Sequence, residues 1–283
     1  MWDEAPGGDH PCPGDVPSSL AVDVVVLSWN DGDLARRAAA SALRSAGVRA
    51  RVHLVDNGSA EPLTPGTELG GAGTLVHRSP RNLGVAAGRN LGASLGSAPL
   101  VCFLDSDAVL EPDCLRALAS AMAADPSVAV AAPVFAGHRP EQTAGRAPTL
   151  WRKAARGLGL TDAYAGAVRD GRPQWDVDFA IGACQLVRRD VFEHLGGFDE
   201  RYFYGPEDVD LCLRAKADGR RVVQVGRACC HHRARRSSRR LWTRNGFRHG
   251  LAVLRHLWVH RRVAARRPGA ERGAAPRLTG ARR

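Results

Sequence analysis

Lysine is nearly missing from this chain: of 40 basic residues, only Lys153 and Lys216 are not arginine. Coding bias explains that preference and carries no function. Long apolar runs are missing too. No stretch of 18 uncharged apolar residues occurs, which argues against a transmembrane span, and the acidic, Pro/Gly-rich start from Met1 to Pro17 does not read as a secretory signal. The seven cysteines (12, 102, 114, 184, 212, 229 and 230) are odd in number and form no Cys-x-x-Cys pair. They read as reduced, mostly buried thiols of a cytoplasmic protein. No internal repeat is present. Acids are scarce in one place: from Arg227 to Arg283, 17 arginines face a single acid, Glu271. That tail carries +16 of a net +11, leaving −5 for residues 1–226. A basic tail on a mildly acidic body suits an anionic lipid surface, nucleic acid or an anionic substrate.

What is present is alternation. Val22 to Leu27 is a β-branched run typical of a buried strand, followed by the turn Ser28-Trp29-Asn30 and a helix from about Asp33 to Ala46. Arg51 to Val55 makes a second strand ending at Asp56-Asn57-Gly58-Ser59, and Thr74 to His77 a third. The stretch Asn82 to Asn90 opens a helix to Ser97; a strand ending at Asp105, a helix from Pro112 to Ala124 and a strand from Val128 to Val134 follow. Such alternation predicts an α/β fold with a layered, parallel sheet. Residues 136 to 174 lose periodicity and read as a long surface excursion, which inside a compact domain is usually functional. Order resumes from Trp175 to Arg188, with a short helix from Arg189 to Leu195, a helix from near Pro206 to before Gly219 and a strand from Arg221 to Val225.

The acids sit where such a sheet binds ligands. Asp56 ends the second strand, and Asp105 and Asp107, one residue apart, end the fourth. The carboxyl edge of an open α/β sheet is the usual ligand site, and paired carboxylates there suit a hard divalent cation bridging phosphate oxygens. A nucleoside diphosphate is the implied partner. The bland alternatives are equally concrete. Asp107 or Asp113 could cap the helix after Pro112, Asp56 could cap its own loop, and Glu207-Asp208 could sit at a helix start only because the dipole favours acids there.

Taken together, these segments resemble family 2 glycosyltransferases of the GT-A fold, particularly the bacterial rhamnosyltransferase-like branch. The resemblance covers residues 21 to 250 and rests on Val-Val-Val-Leu-Ser-Trp-Asn (24 to 30), Val-Asp-Asn-Gly-Ser (55 to 59), Asn-Leu-Gly-Val-Ala-Ala-Gly-Arg-Asn (82 to 90), Asp-Ser-Asp (105 to 107), Gly-Gly-Phe-Asp-Glu (196 to 200), Glu-Asp-Val-Asp-Leu (207 to 211) and His-His (231, 232). It implies a Rossmann-like, mixed and mostly parallel sheet flanked by helices. It also implies an inverting, metal-dependent transfer of sugar from a UDP- or dTDP-sugar, dTDP-rhamnose among them, to a glycan or polyprenyl-linked glycan.

Carried over residue by residue, the resemblance places Ser28 and Asn30 in the nucleotide pocket and has Asp56 accept a hydrogen bond from the base. Asn82, Gly84 and Arg89 fall near the sugar diphosphate, although Arg89 could equally lie on a solvated helix face. Asp105 contacts ribose or donor sugar, and Asp107 binds Mg2+ or Mn2+. A histidine completes that site; counting from the Glu-Asp pair favours His232 over His231, and only one of the two should reach the metal, since successive side chains of an extended segment point oppositely. Asp208 becomes the general base and Glu207 positions the acceptor or the base, while Asp210 points away. Trp175, Asp178 and Gly182 to Cys184 would edge the acceptor side.

Four segments are expected: a disordered one over 1–20, the catalytic domain over 21–232, a basic amphipathic helical extension over 233–262 and a disordered basic tail over 263–283. In the extension, Phe247, Leu251, Leu254 and Trp258 recur at helical spacing, which suits either packing on the body or peripheral contact with the inner face of the cell membrane. Two rivals remain. A sugar nucleotidyltransferase would need a Gly-rich phosphate loop after the first strand, where Ser28-Trp29-Asn30-Asp31 stands. A nucleic-acid-binding protein would have a basic body with interleaved aromatics, so no nucleic acid is expected.

Overall fold

The computed structural model describes residues 20–66, 69, 73–138, 143–145 and 173–232. The expected segments over 233–262 and 263–283, nearly all of that over 1–20 and most of the excursion lie outside these residues.

In chain order the elements are β1 (Ala21–Ser28), α1 (Gly32–Leu43), β2 (Arg49–Asp56), β3 (Thr74–Arg78), α2 (Val85–Ser94), β4 (Leu100–Asp105), β5 (Ala108–Leu110), α3 (Cys114–Ala124), β6 (Val128–Ala136), β7 (Ala144–Gly145), β8 (Gln174–Asp176), β9 (Phe179–Ala180), β10 (Cys184–Arg188), α4 (Arg189–His194), α5 (Glu207–Ala217) and β11 (Arg221–His232). The main sheet runs β3-β2-β1-β4-β10-β6-β11-β5, with β8 also on β11. From β3 to β4 all neighbours are parallel, as are β6 and β11, whereas β10 is antiparallel to both β4 and β6. The sheet is thus mixed and mostly parallel.

Side-chain alternation builds a layer on each face. Val22, Val24 and Val26 of β1, with Cys102 and Leu104 of β4, face the cluster that contains Leu115 and Leu118 of α3 and Ala38 and Ala42 of α1. Val25, Val101 and Phe103 face the other way, toward Phe192 of α4, Phe198 and Leu211 of α5. Strands buried on both faces carry apolar residues at nearly every position, which is why they read as continuous runs. Phe103 meets Phe198 edge-on at 4.7 Å and Phe192 at 5.1 Å between ring centroids. Truncating such a ring to alanine costs about 3–5 kcal/mol.

Register brings the site together. Ser28 lies opposite Asp56, Leu27 opposite Asp105, and Asp56 opposite Arg78, so three strands end level at one edge. Two elements differ from expectation. β5 falls between Asp105 and Pro112, where the sequence pattern shows no strand, and β11 continues to His232 through a register shift between Val225 and Cys229 where its expected end is Val225. The shift absorbs Gly226 and Arg227, which interrupt the apolar run. Beyond it, β11 pairs antiparallel with β5, His232 against Ala108 and His231 against Val109.

Candidate active site

That last pairing sets the geometry of the acids. His232 comes down beside the Asp-Ser-Asp turn, with Nε2 3.3 Å from Asp107 Oδ1 and 4.0 Å from Asp105 Oδ2. One ligand atom from each of the three lies within 4.8 Å of the others. Two carboxylates and one imidazole are a donor set suited to Mg2+ or Mn2+, and partial exposure leaves positions for phosphate oxygens. Burial pulls the His232 imidazole down, but the Asp107 hydrogen bond and the charges of Asp105 and Asp107 outweigh it and raise its pKa above the ordinary value. His231 turns the opposite way and pairs with Glu111 at the surface. The capping alternative for these aspartates is not what is found. β5 separates Asp107 from α3, and Asp113 at the α3 start makes no side-chain cap bond, pairing instead with Arg116 at 2.8 Å.

Glu207 and Asp208 open α5 directly after Pro206. Asp208 Oδ2 accepts the amide of Gly182 at 2.7 Å and Oδ1 that of Val209 at 2.8 Å. Glu207 is buried; Oε1 accepts from Arg89 at 3.2 Å, while Oε2 has no hydrogen-bond partner. Burial and the neighbouring Asp208 charge push the Glu207 carboxyl up to about 7. Burial raises Asp208 as well, with Arg89 and the two amides opposing. Asp210 points elsewhere, to Arg214 at 2.7 Å.

Arg89 corrects an expectation. It does not face solvent: only 3% of it is exposed. Nη2 donates to Asp105 Oδ1 at 2.6 Å and to the Gly182 carbonyl at 2.7 Å, and Nη1 to Glu207. Burial works against its charge, and Asp105, Glu207 and Asp208 more than offset that. The side chain therefore lies beneath the site and joins its two acidic groups.

The nucleotide-side expectations divide. Asp56 has no exposed surface, and it caps its own loop: Oδ1 accepts the amide of Ser59 at 2.8 Å, Oδ2 that of Leu63 at 3.0 Å and a guanidinium nitrogen of Arg78 at 2.6 Å. Burial would raise this carboxyl, but those amides and Arg78 hold it below the usual carboxylate range. Ser28 is buried beside Asp56 with its hydroxyl unpartnered. Asn30, at φ 59°, is exposed; its amide donates to Ser59 Oγ and its Oδ1 accepts the Ala60 amide, both at 2.9 Å. Asn82 Oδ1 accepts the Gly84 amide at 2.8 Å. The close approach at Gly84 is to protein, since a Cβ there would come within 2.6 Å of the Phe203 carbonyl oxygen, at a φ of 86° that disfavours side chains in any case.

On the proposed acceptor edge, Trp175 is buried in the core and Asp178 pairs with Lys216 at 2.6 Å, so both are occupied structurally. Gly182 does reach the acids, because the Ala183 carbonyl accepts the Asp105 amide at 3.0 Å and sets the turn before β10 against the end of β4. Arg78 was not singled out from the sequence; its in-register place opposite Asp56 was the available signal.

Comparison with known proteins gives a consistent picture. The family model described as glycosyl transferase family 2 matches residues 23–196. Cellulose synthase 2 of Novacetimonas hansenii is 25% identical over 215 residues, 74% of this chain and 13% of that protein. N-acetylglucosaminyl-diphospho-decaprenol L-rhamnosyltransferase of Mycobacterium tuberculosis is 47% identical over 64 residues, 22% of this chain and 21% of that one. The chain spans only 13 or 14% of the length of the cellulose synthases it matches. Among solved structures, GalNAc-T7 with UDP, GalNAc and Mn2+ superposes with a TM-score of 0.60 at 17% identity, over 75% of this chain and 44% of that one, a likeness of GT-A fold.

Proposed function

From the premise that this chain belongs to glycosyl transferase family 2, we propose that it moves a sugar, with inversion, from a nucleoside-diphosphate donor to a hydroxyl of a glycan or polyprenyl-linked glycan. The donor we favour is a UDP- or dTDP-sugar, dTDP-rhamnose included. One observation carries the reading: the Asp105–Asp107–His232 group and the Glu207–Asp208 pair share the carboxyl edge of one sheet and are joined through Arg89.

In this mechanism Asp107 and His232 hold Mg2+ or Mn2+, with Asp105 turned toward ribose or donor sugar. The cation would offset the charge of the departing nucleoside diphosphate. Ser28 and Asn30 line the base and ribose side, and Asp56 stiffens the loop behind them. Asn82 and Gly84 shape the turn ahead of α2. Asp208 takes the proton of the attacking hydroxyl; its two backbone hydrogen bonds fix the carboxylate so that a remaining lone pair faces the acceptor. Glu207 holds Arg89, which reaches the base through the Gly182 peptide. Inversion follows from one displacement, for which a single base opposite the leaving group suffices.

The basic segment over 233–262 would meet an anionic membrane surface and bring a lipid-linked acceptor within reach. No helix among the described residues is long and apolar enough to cross a membrane. We place the protein in the cytoplasm at the inner face of the cell membrane, and no nucleic-acid partner is proposed.

The test is direct. The purified protein is incubated with Mn2+, a panel of UDP- and dTDP-sugars and synthetic glycan or polyprenyl-linked acceptors, and product anomeric configuration is read by NMR. An inverted glycoside that depends on Mn2+ supports the proposal. No transfer from any donor, or retention of configuration, refutes it.

A further inference from the structure

Between the metal group and the general-base pair stands one peptide unit. The carbonyl of Gly182 accepts from Arg89 Nη2 at 2.7 Å, and its amide donates to Asp208 Oδ2 at 2.7 Å. The same guanidinium reaches Asp105 at 2.6 Å and Glu207 at 3.2 Å. Asp105, Arg89, the Gly182 peptide and Asp208 therefore form a continuous chain of hydrogen bonds from donor side to acceptor side, with Glu207 branching from Arg89. There is no slack in it: a Cβ on Gly182 would come within 2.6 Å of Arg89 Nη1 and 3.0 Å of the Asp208 Cβ. The guanidinium is further held over the Phe198 ring, 5.6 Å from its centroid.

We propose that Arg89 and the Gly182 peptide act as a strut that sets the distance and angle between the donor-holding Asp105 and the Asp208 base. Arg89 is on this view a positioning residue. It touches neither donor nor acceptor. The idea deepens the glycosyltransferase reading and rests on it. In a single displacement the hydroxyl must meet the anomeric carbon in line while its proton meets the base. Misplacement by about 1 Å lowers such a rate by roughly 100-fold. Arginine is required because its planar fork spans two carboxylates and a carbonyl together, whereas lysine offers a point charge to one direction at a time.

That difference supplies the test. Arg89→Lys and Gly182→Ala are prepared with the double variant, and nucleotide-binding sites are counted by calorimetric titration with UDP or dTDP plus Mn2+. Turnover is expressed per site, so that loss of folded protein does not count. The expectation is a turnover about 10- to 100-fold below wild type in each single variant, with the donor KM within about threefold. The double variant should be hardly worse than the poorer single one, because both changes break one unit. Wild-type turnover per site in Arg89→Lys would mean that charge compensation is all Arg89 provides, and would overturn the strut. So would losses that vanish once sites are counted. If Arg89→Lys does not fold, Gly182→Ala decides alone. An active wild type beside an unimpaired Gly182→Ala sinks the strut only, whereas a wild type that transfers nothing sinks the functional reading and the strut with it.

Discussion

Replacing Glu207 by glutamine should make the protein more stable relative to wild type as pH rises, which inverts the usual cost of losing a buried ion pair. The folded carboxyl is pushed from 4.5 up to about 7 by burial and by Asp208, despite Arg89. Below pH 4.5 both folded and unfolded states are protonated, and the group contributes no pH dependence. Between 4.5 and 7 the unfolded chain releases its proton while the folded one keeps it, so wild-type stability falls with pH. Above 7 both are ionised and the loss is complete. At 1.36 kcal/mol per pH unit, the full span is worth about 3 kcal/mol. Sharing of the charge with Asp208 makes this an upper value. Glu207→Gln does not titrate there, so its stability relative to wild type should improve by about 2–3 kcal/mol between pH 4.5 and pH 8. Urea unfolding of both proteins at half-unit pH steps reads the difference, and titrating groups that do not touch the Glu207–Asp208–Arg89 cluster cancel between them. A difference that stays flat across this range, or that moves against the variant, would show that Glu207 ionises normally in the fold and would refute the reasoning.

Three further outcomes follow from the site. Asp107→Asn should retain the fold by circular dichroism but lose metal-dependent donor binding and transfer; near-wild-type turnover at limiting Mn2+ would remove Asp107 from the ligand set. His232→Ala should raise the Mn2+ concentration needed for half-maximal activity while His231→Ala, which loses only a surface pair with Glu111 worth about 0–1 kcal/mol, stays close to wild type; equal small effects from both would place the third ligand elsewhere. Asp208→Asn should keep nucleotide-sugar affinity and lose transfer by roughly 10²- to 10⁴-fold, the range for removing a general base, and a variant that melts early yet transfers normally would identify Asp208 as structural.

The strand ends were legible because each strand's own pattern shows where it stops. β1, β2 and β4 are apolar toward their ends, each stopping at a polar residue, and parallel pairing sets Ser28 opposite Asp56 and Leu27 opposite Asp105. Asp56 as a loop cap was readable too, since Ser59 and Leu63 are close in sequence. Arg89 was not. Its arginine sits in a helix of small residues, and the partners that permit its burial, Asp105, Gly182 and Glu207, are remote in sequence. β5 escaped because three apolar residues after Asp107 resemble a turn entering a helix. The long end of β11 escaped because Gly226 and Arg227 break its pattern at the register shift. Both elements exist through their pairing with each other, which no window of sequence contains.

The join of β11 to β5 also fixes when the metal group can come into being. Asp105 is in place once β4 joins the sheet, but Asp107 lies between β4 and β5, which pairs with β11, and the imidazole of the group belongs to the final residue of β11. As the chain leaves the ribosome, the donor pocket can therefore assemble early while the three-ligand group waits for the last strand to dock. A protein in which β11 has not docked would carry two aspartates without their histidine, and under the proposed function its cation affinity would report how far the sheet has closed.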